Sequence, residues 1–333
     1  MDESWHIFKK NAPPHDDIDK KKLPDPPNWR RFKGRDARRY RGEKFEAGDR
    51  EVEMVNAALY LRRPLLVTGN PGTGKSSLAY AVQYQLKLEP VLYWPITTRT
   101  TLQDGLYTYD AIGRLQETEM FGGKPGEDGA SKKREPNDIG QYITLGPLGA
   151  ALLPADRPRV LLVDEIDKSD IDLPNDLLNV FEEGGFPIPE LKRLADRETP
   201  VMVMTCDDRT VEVTNGEVVC DQFPFVVLTS NRERELPAPF LRRCLRLDID
   251  DPDDKKLTRI VEAHFKEETP KIREQVNNLI DHMMTKRRNG SLVSTDQLLN
   301  AIYLAAQGVD ATAQGREALL KELMRDLNET ERI

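Results

Sequence analysis

Five short apolar runs punctuate the first 250 residues: Leu65–Thr68, Val91–Trp94, Val160–Val163, Phe225–Thr229 and Leu245–Ile249. They do not alternate with polar residues, so each reads as a strand buried on both faces. Helix-compatible segments lie between them, among them Ser77-Leu78-Ala79-Tyr80-Ala81-Val82-Gln83-Tyr84-Gln85-Leu86. Strand alternating with helix predicts an α/β fold with a five-stranded parallel sheet covered by helices. The period changes from about residue 252. Leu257, Ile260, Val261, His264 and Phe265 share one helix face, as do Ile272, Val276, Leu279, Ile280 and Met283. Ser294-Thr295-Asp296-Gln297 is a capping-box start for a helix carrying Leu298, Leu299, Ile302 and Tyr303. His264 and His282 sit on such faces as packed or surface histidines. The pattern therefore divides the chain into a leader over 1–44, an α/β domain over 45–250 and an all-helical lid domain over 251–333.

Two interruptions break the α/β pattern. Residues 104–146, rich in Gly and charge and containing Phe121-Gly122-Gly123-Lys124-Pro125-Gly126, are too long for an idle loop and read as an insertion. Residues 200–222 read as a β-hairpin, because Asn215-Gly216 is flanked by β-prone residues.

Composition narrows the function classes. The chain has 333 residues and a net charge of −8, with a sequence pI of about 5.3. Nucleic-acid binding by overall charge is therefore disfavoured. A local basic stretch does exist, Trp29-Arg30-Arg31-Phe32-Lys33-Gly34-Arg35-Asp36-Ala37-Arg38-Arg39-Tyr40-Arg41. It fits either a nucleic-acid or acidic-partner contact or a solvated arm lying on an acidic neighbour. No apolar run approaches the roughly 20 residues of a membrane span. The polar start Met1-Asp2-Glu3-Ser4-Trp5 is not a signal peptide. Cys206, Cys220 and Cys244 are scattered without zinc-site spacing and read as reduced thiols, which predicts a cytoplasmic protein.

The chemistry centres on Gly69-Asn70-Pro71-Gly72-Thr73-Gly74-Lys75-Ser76, which fits the phosphate-cradling pattern G-x-x-x-x-G-K-[ST]. Its glycines let backbone N–H groups face a polyphosphate, Lys75 brings a mobile cation, and the Ser76 hydroxyl can join an Mg²⁺ shell. Ser77, next in the helix, is counted with the nucleotide-binding residues. A strand candidate precedes this loop and a helix candidate follows it, which is the context the motif requires.

Three further features follow in order. Val160-Leu161-Leu162-Val163-Asp164-Glu165 delivers Asp164 at the C-terminal tip of a buried strand, where it can hold the hydration shell of Mg²⁺. Glu165 is placed to polarise a water for attack on a γ-phosphate. Val226-Val227-Leu228-Thr229-Ser230-Asn231 ends another strand in an amide that can bond the γ-phosphate or that water, provided its strand lies between the first and third. Pro239-Phe240-Leu241-Arg242-Arg243-Cys244 sets two arginines at a helix end, where a guanidinium can neutralise phosphoryl charge, often from a neighbouring subunit. Arg243 is the preferred finger and Arg242 the reserve.

In this order the chain resembles the AAA+ ATPases, and within them the MoxR-like branch. The resemblance rests on Asn56–Gly69, on Leu161-Leu162-Val163-Asp164-Glu165-Ile166-Asp167-Lys168 and on Leu241-Arg242-Arg243-Cys244, and covers roughly residues 46–306. It implies ATP and Mg²⁺ bound between subunits of a homo-oligomeric, usually hexameric, ring that remodels a protein client. Such relatives often work with a von Willebrand factor A protein. It further implies that the insertion and the hairpin face the pore or the client. One departure stands out. Where the family places an arginine near the start of the third lid helix, Gly290-Ser291-Leu292-Val293-Ser294-Thr295-Asp296 has none, and Arg287 and Arg288 lie just upstream.

Three functions fit this reading: a client-remodelling ATPase, an ATP-gated assembly scaffold with slow or triggered hydrolysis, and a nucleic-acid translocase. Glu165, Asn231 and Arg243 together favour the first. A GTPase is disfavoured because no Asn-Lys-x-Asp sequence occurs, and a small-molecule kinase has no use for the distal arginine and lid.

Overall fold

The computed structural model describes residues 5–8, 13–14, 16, 18, 24–30, 42–121, 136–194, 200–265, 272–309, 311–312, 316–327 and 329. Most of the leader, including 31–41 of the basic stretch, and Gly122–Gly126 of the insertion lie outside the described residues. The chain divides into two compact units. One comprises Gly48–Thr68 and Val82–Asp248, the other Met1–Ala47, Gly69–Ala81 and Ile249–Ile333.

The labelled elements run in chain order as follows. Helix α1 (Asp49–Leu61) leads into β1 (Leu65–Thr68), and α2 (Lys75–Gln85) into β2 (Leu92–Pro95). The insertion supplies β3 (Tyr107–Tyr109), α3 (Ala111–Phe121) and β4 (Ile143–Leu145). Then come β5 (Val160–Asp164), α4 (Asp172–Glu183), β6 (Gly185–Pro187), β7 (Val201–Thr205), β8 (Thr210–Val213) and β9 (Glu217–Val219). The unit closes with β10 (Phe225–Ser230), α5 (Ala238–Arg243) and β11 (Leu245–Asp248).

Its main sheet has the order β11-β1-β10-β5-β2, with every neighbouring pair parallel. The unbroken apolar runs explain why these strands lie inside. Leu65, Val67, Val160 to Val163 and Val226 to Leu228 are all fully buried. Helix α4 packs Leu173, Leu177 and Val180, at helical spacing, into the same core, and α5 adds Phe240. The strand ending at Ser230 pairs with both β1 and β5, which meets the condition set for Asn231.

The second sheet, β3-β4-β7-β8, shows where the Asn-Gly signal misleads. The hairpin within 200–222 is β7 with β8, and it turns at Cys206–Arg209. Asn215 and Gly216 do take the positive φ values of a tight turn, 57° and 67°. The strands on either side of them diverge, however, and β9 pairs antiparallel with β6. The reason is a competing partner: the Gly216 carbonyl accepts the Ile188 N–H at 2.8 Å, and a Cβ on Gly216 would lie 2.3 Å from the Lys192 nitrogen. The β7–β8 turn is tied down by charge. Arg159, 4% exposed, pairs with Glu89 at 3.0 Å and Asp207 at 2.9 Å, and Arg209 pairs with the same two carboxylates.

The other unit holds the helical tail: α6 (Asp254–His264), α7 (Arg273–Arg288), α8 (Thr295–Ala306) and α9 (Glu317–Leu323). Leu257, Val261, Leu279, Met283, Leu298 and Ile302 form its core. The capping box at Ser294 is present, with both reciprocal bonds to Gln297. Trp29 of the leader belongs to this core. Its indole N–H donates to Asn300 Oδ1 at 3.1 Å, and its ring lies edge-on to His264, Phe265 and Tyr303. Among the described residues no helix is long and apolar enough to cross a membrane.

His264 makes this packing sensitive to acid. Burial, with the charge of Lys44 adding, pushes its imidazole from 6.5 down to about 4. The folded state keeps it neutral, whereas the unfolded chain takes up a proton below about pH 6.5. Its contribution to stability is therefore complete above that value and is lost as the pH falls toward 4. Between about pH 7 and about pH 4, urea denaturation is expected to show the wild type losing on the order of 3 kcal/mol more than His264→Phe. Parallel pH profiles for the two proteins would refute this.

Candidate active site

The phosphate loop follows β1 without a break and ends where α2 begins at Lys75. Lys75 is only 8% exposed, and its ammonium donates to the carbonyls of Gly69 at 2.9 Å and Asn70 at 2.8 Å. The chain thus curls around a buried cation, the form of a phosphate-cradling loop. Thr73 Oγ1 donates to the Asn70 carbonyl at 2.9 Å, and the Asn70 amide to Asp251 Oδ2 at 2.8 Å. Two glycines are compulsory. Gly69 and Gly72 have φ of 149° and 77°. A Cβ would lie 2.4 Å from the Ile249 carbonyl oxygen at the first and 2.4 Å from Ser294 Cβ at the second.

Carboxylates gather at the tips of β5 and β10 in the other unit. Parallel register sets Leu228 beside Val163, so the next residues, Thr229 and Asp164, are brought together. The Thr229 hydroxyl donates to Asp164 Oδ1 at 2.7 Å and accepts the Glu165 N–H at 2.9 Å. One side chain thereby orients both acidic residues. Tyr93 adds a hydroxyl 3.3 Å from Asp164 Oδ2. Glu165 takes the left-handed conformation, φ 63°, which ends the strand abruptly. Its carboxylate pairs with Lys168 at 2.8 Å, a bond that raises the pKa of that lysine.

Asn231 follows directly on β10. Its N–H donates to Asp167 Oδ2 at 2.9 Å, as does the Glu233 N–H at 3.0 Å. Asp167, 2% exposed, thus fixes the turn that carries the amide, and that amide reaches Glu233 at 3.4 Å. An open cleft of about 520 Å³ beside these tips is lined by Thr97, Thr98, Glu165, Lys168, Glu233 and Arg234.

Both arginines of α5 are exposed and lie in its last turn. Arg243 pairs with Glu182 of α4 and its guanidinium also reaches the Pro239 carbonyl. Arg63 donates to the carbonyls of Arg242 and Arg243, satisfying the helix end. In the helical unit Arg287 is half-buried and donates to the carbonyls of Val293 at 2.8 Å and Pro252 at 3.1 Å.

Thr229 and Asp167 hold the acidic and amide groups in place, yet no motif marks them. Strand register was the signal for Thr229, since it precedes Asn231 by two on a strand beside the one ending at Asp164. The Asp164 carboxylate is a hard oxygen donor of the kind that suits magnesium, and among the described residues no group of three or more His, Cys, Asp or Glu could hold a metal ion.

Residues 64–244 match the family model described as the AAA domain, dynein-related subfamily. The match spans more than half of the chain, which therefore belongs to that AAA family. Comparison with curated proteins found no match.

Thr229→Val keeps the shape of the side chain but removes both of its bonds. Denaturant titration is expected to show a loss of about 1–3 kcal/mol, because Asp164 and the Glu165 N–H lose a shared partner. A stability equal to the wild type would show that the bridge is dispensable.

Proposed function

We propose that the chain, as a member of the AAA family, hydrolyses Mg-ATP and uses the cycle to remodel or activate a partner protein, in the manner of the MoxR-like branch. The observation that carries this reading is the pair of strand tips at which Thr229 joins Asp164 to Glu165 while Asp167 holds Asn231 one strand away. A protein that only binds nucleotide has little need for so fully fixed a set.

Each residue has a role in such a cycle. Lys75 leaves the loop carbonyls for the phosphates, and the loop amides take up their remaining charge. Ser76 and Asp164 would hold magnesium, which would supply positive charge to offset that of the phosphates. Glu165 accepts the proton of the attacking water, and Asn231 orients that water. To act, Glu165 must part from Lys168. Both side chains are more than a third exposed, so the pair is worth only about 0.3–0.5 kcal/mol and separates readily. Arg243, or Arg242 in reserve, meets the nucleotide of the next copy in a homo-oligomeric ring, hexameric as in MoxR-like proteins, with a von Willebrand factor A protein as the favoured class of partner. Its ion pair with Glu182 is at the surface and is exchanged for phosphate on assembly.

One observation favours a second reading, an ATP-gated scaffold with slow or triggered hydrolysis. Residues 290–296 carry no arginine, and Arg287 is spent on two backbone carbonyls. Steady multiple turnover by the protein alone counts against that reading.

Lys75→Ala is expected to abolish or greatly weaken nucleotide binding. Glu165→Gln is expected to retain ATP while lowering phosphate release by on the order of 10²–10⁴-fold. Arg243→Ala is expected to lose turnover when pure. Mixing it with Lys75→Ala subunits, which keep Arg243, should restore part of the activity, and a mixture no better than its components would deny an intersubunit role.

A further inference from the structure

The cleft of about 520 Å³ beside the tips of β2, β5 and β10 lies wholly within the sheet-bearing unit. Asp167 lines it together with Glu165 and Glu233, so three carboxylates share it with two cations, Lys168 and Arg234. Both cations are engaged. Lys168 pairs with Glu165 at 2.8 Å, and Arg234 donates through Nη1 to the Ser169 carbonyl at 2.7 Å. The pKa of Lys168 is raised, first by its bond to Glu165 and, against the opposing effect of burial, by the charges of Glu233 and Asp167 as well. The cleft therefore favours positive charge.

Asp167 shows where that charge is wanting. It is 2% exposed, and the two backbone N–H groups that reach it, from Asn231 and Glu233, both go to Oδ2. Its Oδ1 is buried and accepts no hydrogen bond from any described residue. A buried carboxylate oxygen without a donor is costly, and native structures seldom keep one. Beside it, Glu233 Oε1 accepts the side-chain amide of Asn231 at a long 3.4 Å. A metal ion does not fit, since among the described residues no group of three or more His, Cys, Asp or Glu could hold one. A water could reach Oδ1 but brings no charge to offset the carboxylates. A guanidinium brings five N–H donors in a planar fork on a long stem, enough to meet Asp167, Glu233 and the hydroxyls of Thr97 and Thr98 together.

We propose that this cleft receives an arginine side chain of a partner protein, whose guanidinium bonds Asp167 Oδ1 and draws the Glu233 carboxylate away from the Asn231 amide. The site stands on the cleft alone, whereas its effect on turnover rests on the ATPase reading above. Docking frees Asn231 to orient water, so the arrival of the partner raises hydrolysis. The guanidinium acts on carboxylates and not on phosphate, and the exchange breaks no covalent bond.

A fluorescently labelled tri-arginine peptide is titrated into the full chain, beside its tri-citrulline counterpart, which keeps the shape but not the charge. Wild type is compared with Asp167→Asn and Glu233→Gln, and melting temperatures are recorded. In Asp167→Asn the amide oxygen can still accept both backbone N–H groups, while its NH₂ takes the place of Oδ1. Each variant is expected to bind tri-arginine about 10- to 100-fold more weakly than wild type, and tri-citrulline is expected to bind none of the three. Glu233 is exposed, so Glu233→Gln keeps the comparison valid even where Asp167→Asn fails to fold. A wild type that does not bind tri-arginine overturns the proposal, as does equal binding by Glu233→Gln or by tri-citrulline. Steady phosphate release by wild type is expected to rise about 5- to 150-fold with saturating tri-arginine, and binding without a rise overturns the release of Asn231. A slowly hydrolysed ATP analogue is titrated separately. If wild type does not bind it, the ATPase reading fails, while the peptide titration still decides the cleft.

Discussion

The parallel pairing of β10 between β1 and β5 is the constraint on which the site depends. Parallel strands end at a common edge, so three separate stretches of sequence finish side by side. Thr68 ends the first, Ser230 the second and Asp164 the third. The register is equally consequential. A slip of one residue would turn Thr229 to the opposite face of the sheet, leaving Asp164 and the Glu165 N–H without their shared hydroxyl. The buried apolar side chains of these strands prevent that slip, because covering both faces leaves no register that exposes them without cost. Packing energy and the geometry of the candidate site are thus set by the same residues.

Much of this was legible from the chain alone because its strongest signals are local. A phosphate loop is a contiguous octapeptide, and the doubly covered strands are contiguous apolar runs. Asp164, Glu165 and Asn231 lie at their ends. Thr229 and Asp167 were not legible, since a threonine in a strand and an aspartate in a turn are ordinary until pairing shows what they face. Arg232 is a stronger example: its left-handed backbone and its partners Thr68 and Asp248, 164 and 16 positions away, are recorded nowhere in the composition.

Local turn chemistry also misled. Asn215-Gly216 adopts the backbone that its sequence favours, and yet the chain beyond it joins β6 instead of returning along β8. The dipeptide specifies a bend but not a partner. Which strand β9 meets was decided by tertiary contacts, through Ile188 and the close approach of Lys192. The leader is similar. Its composition suggested a charged arm, whereas Trp29 packs among the rings of His264, Phe265 and Tyr303, a contact that requires more than two hundred intervening residues to be in place.

The position of that indole has a practical consequence. The chain contains three tryptophans, Trp5, Trp29 and Trp94. Trp94 is 4% exposed in the sheet-bearing unit, and Trp29 packs in the helical one. Replacing Trp94 by phenylalanine leaves only the emission of Trp5 and Trp29, which belong to the helical unit, and replacing those two together leaves only that of Trp94. The order in which the two units melt can be followed optically without attaching a dye.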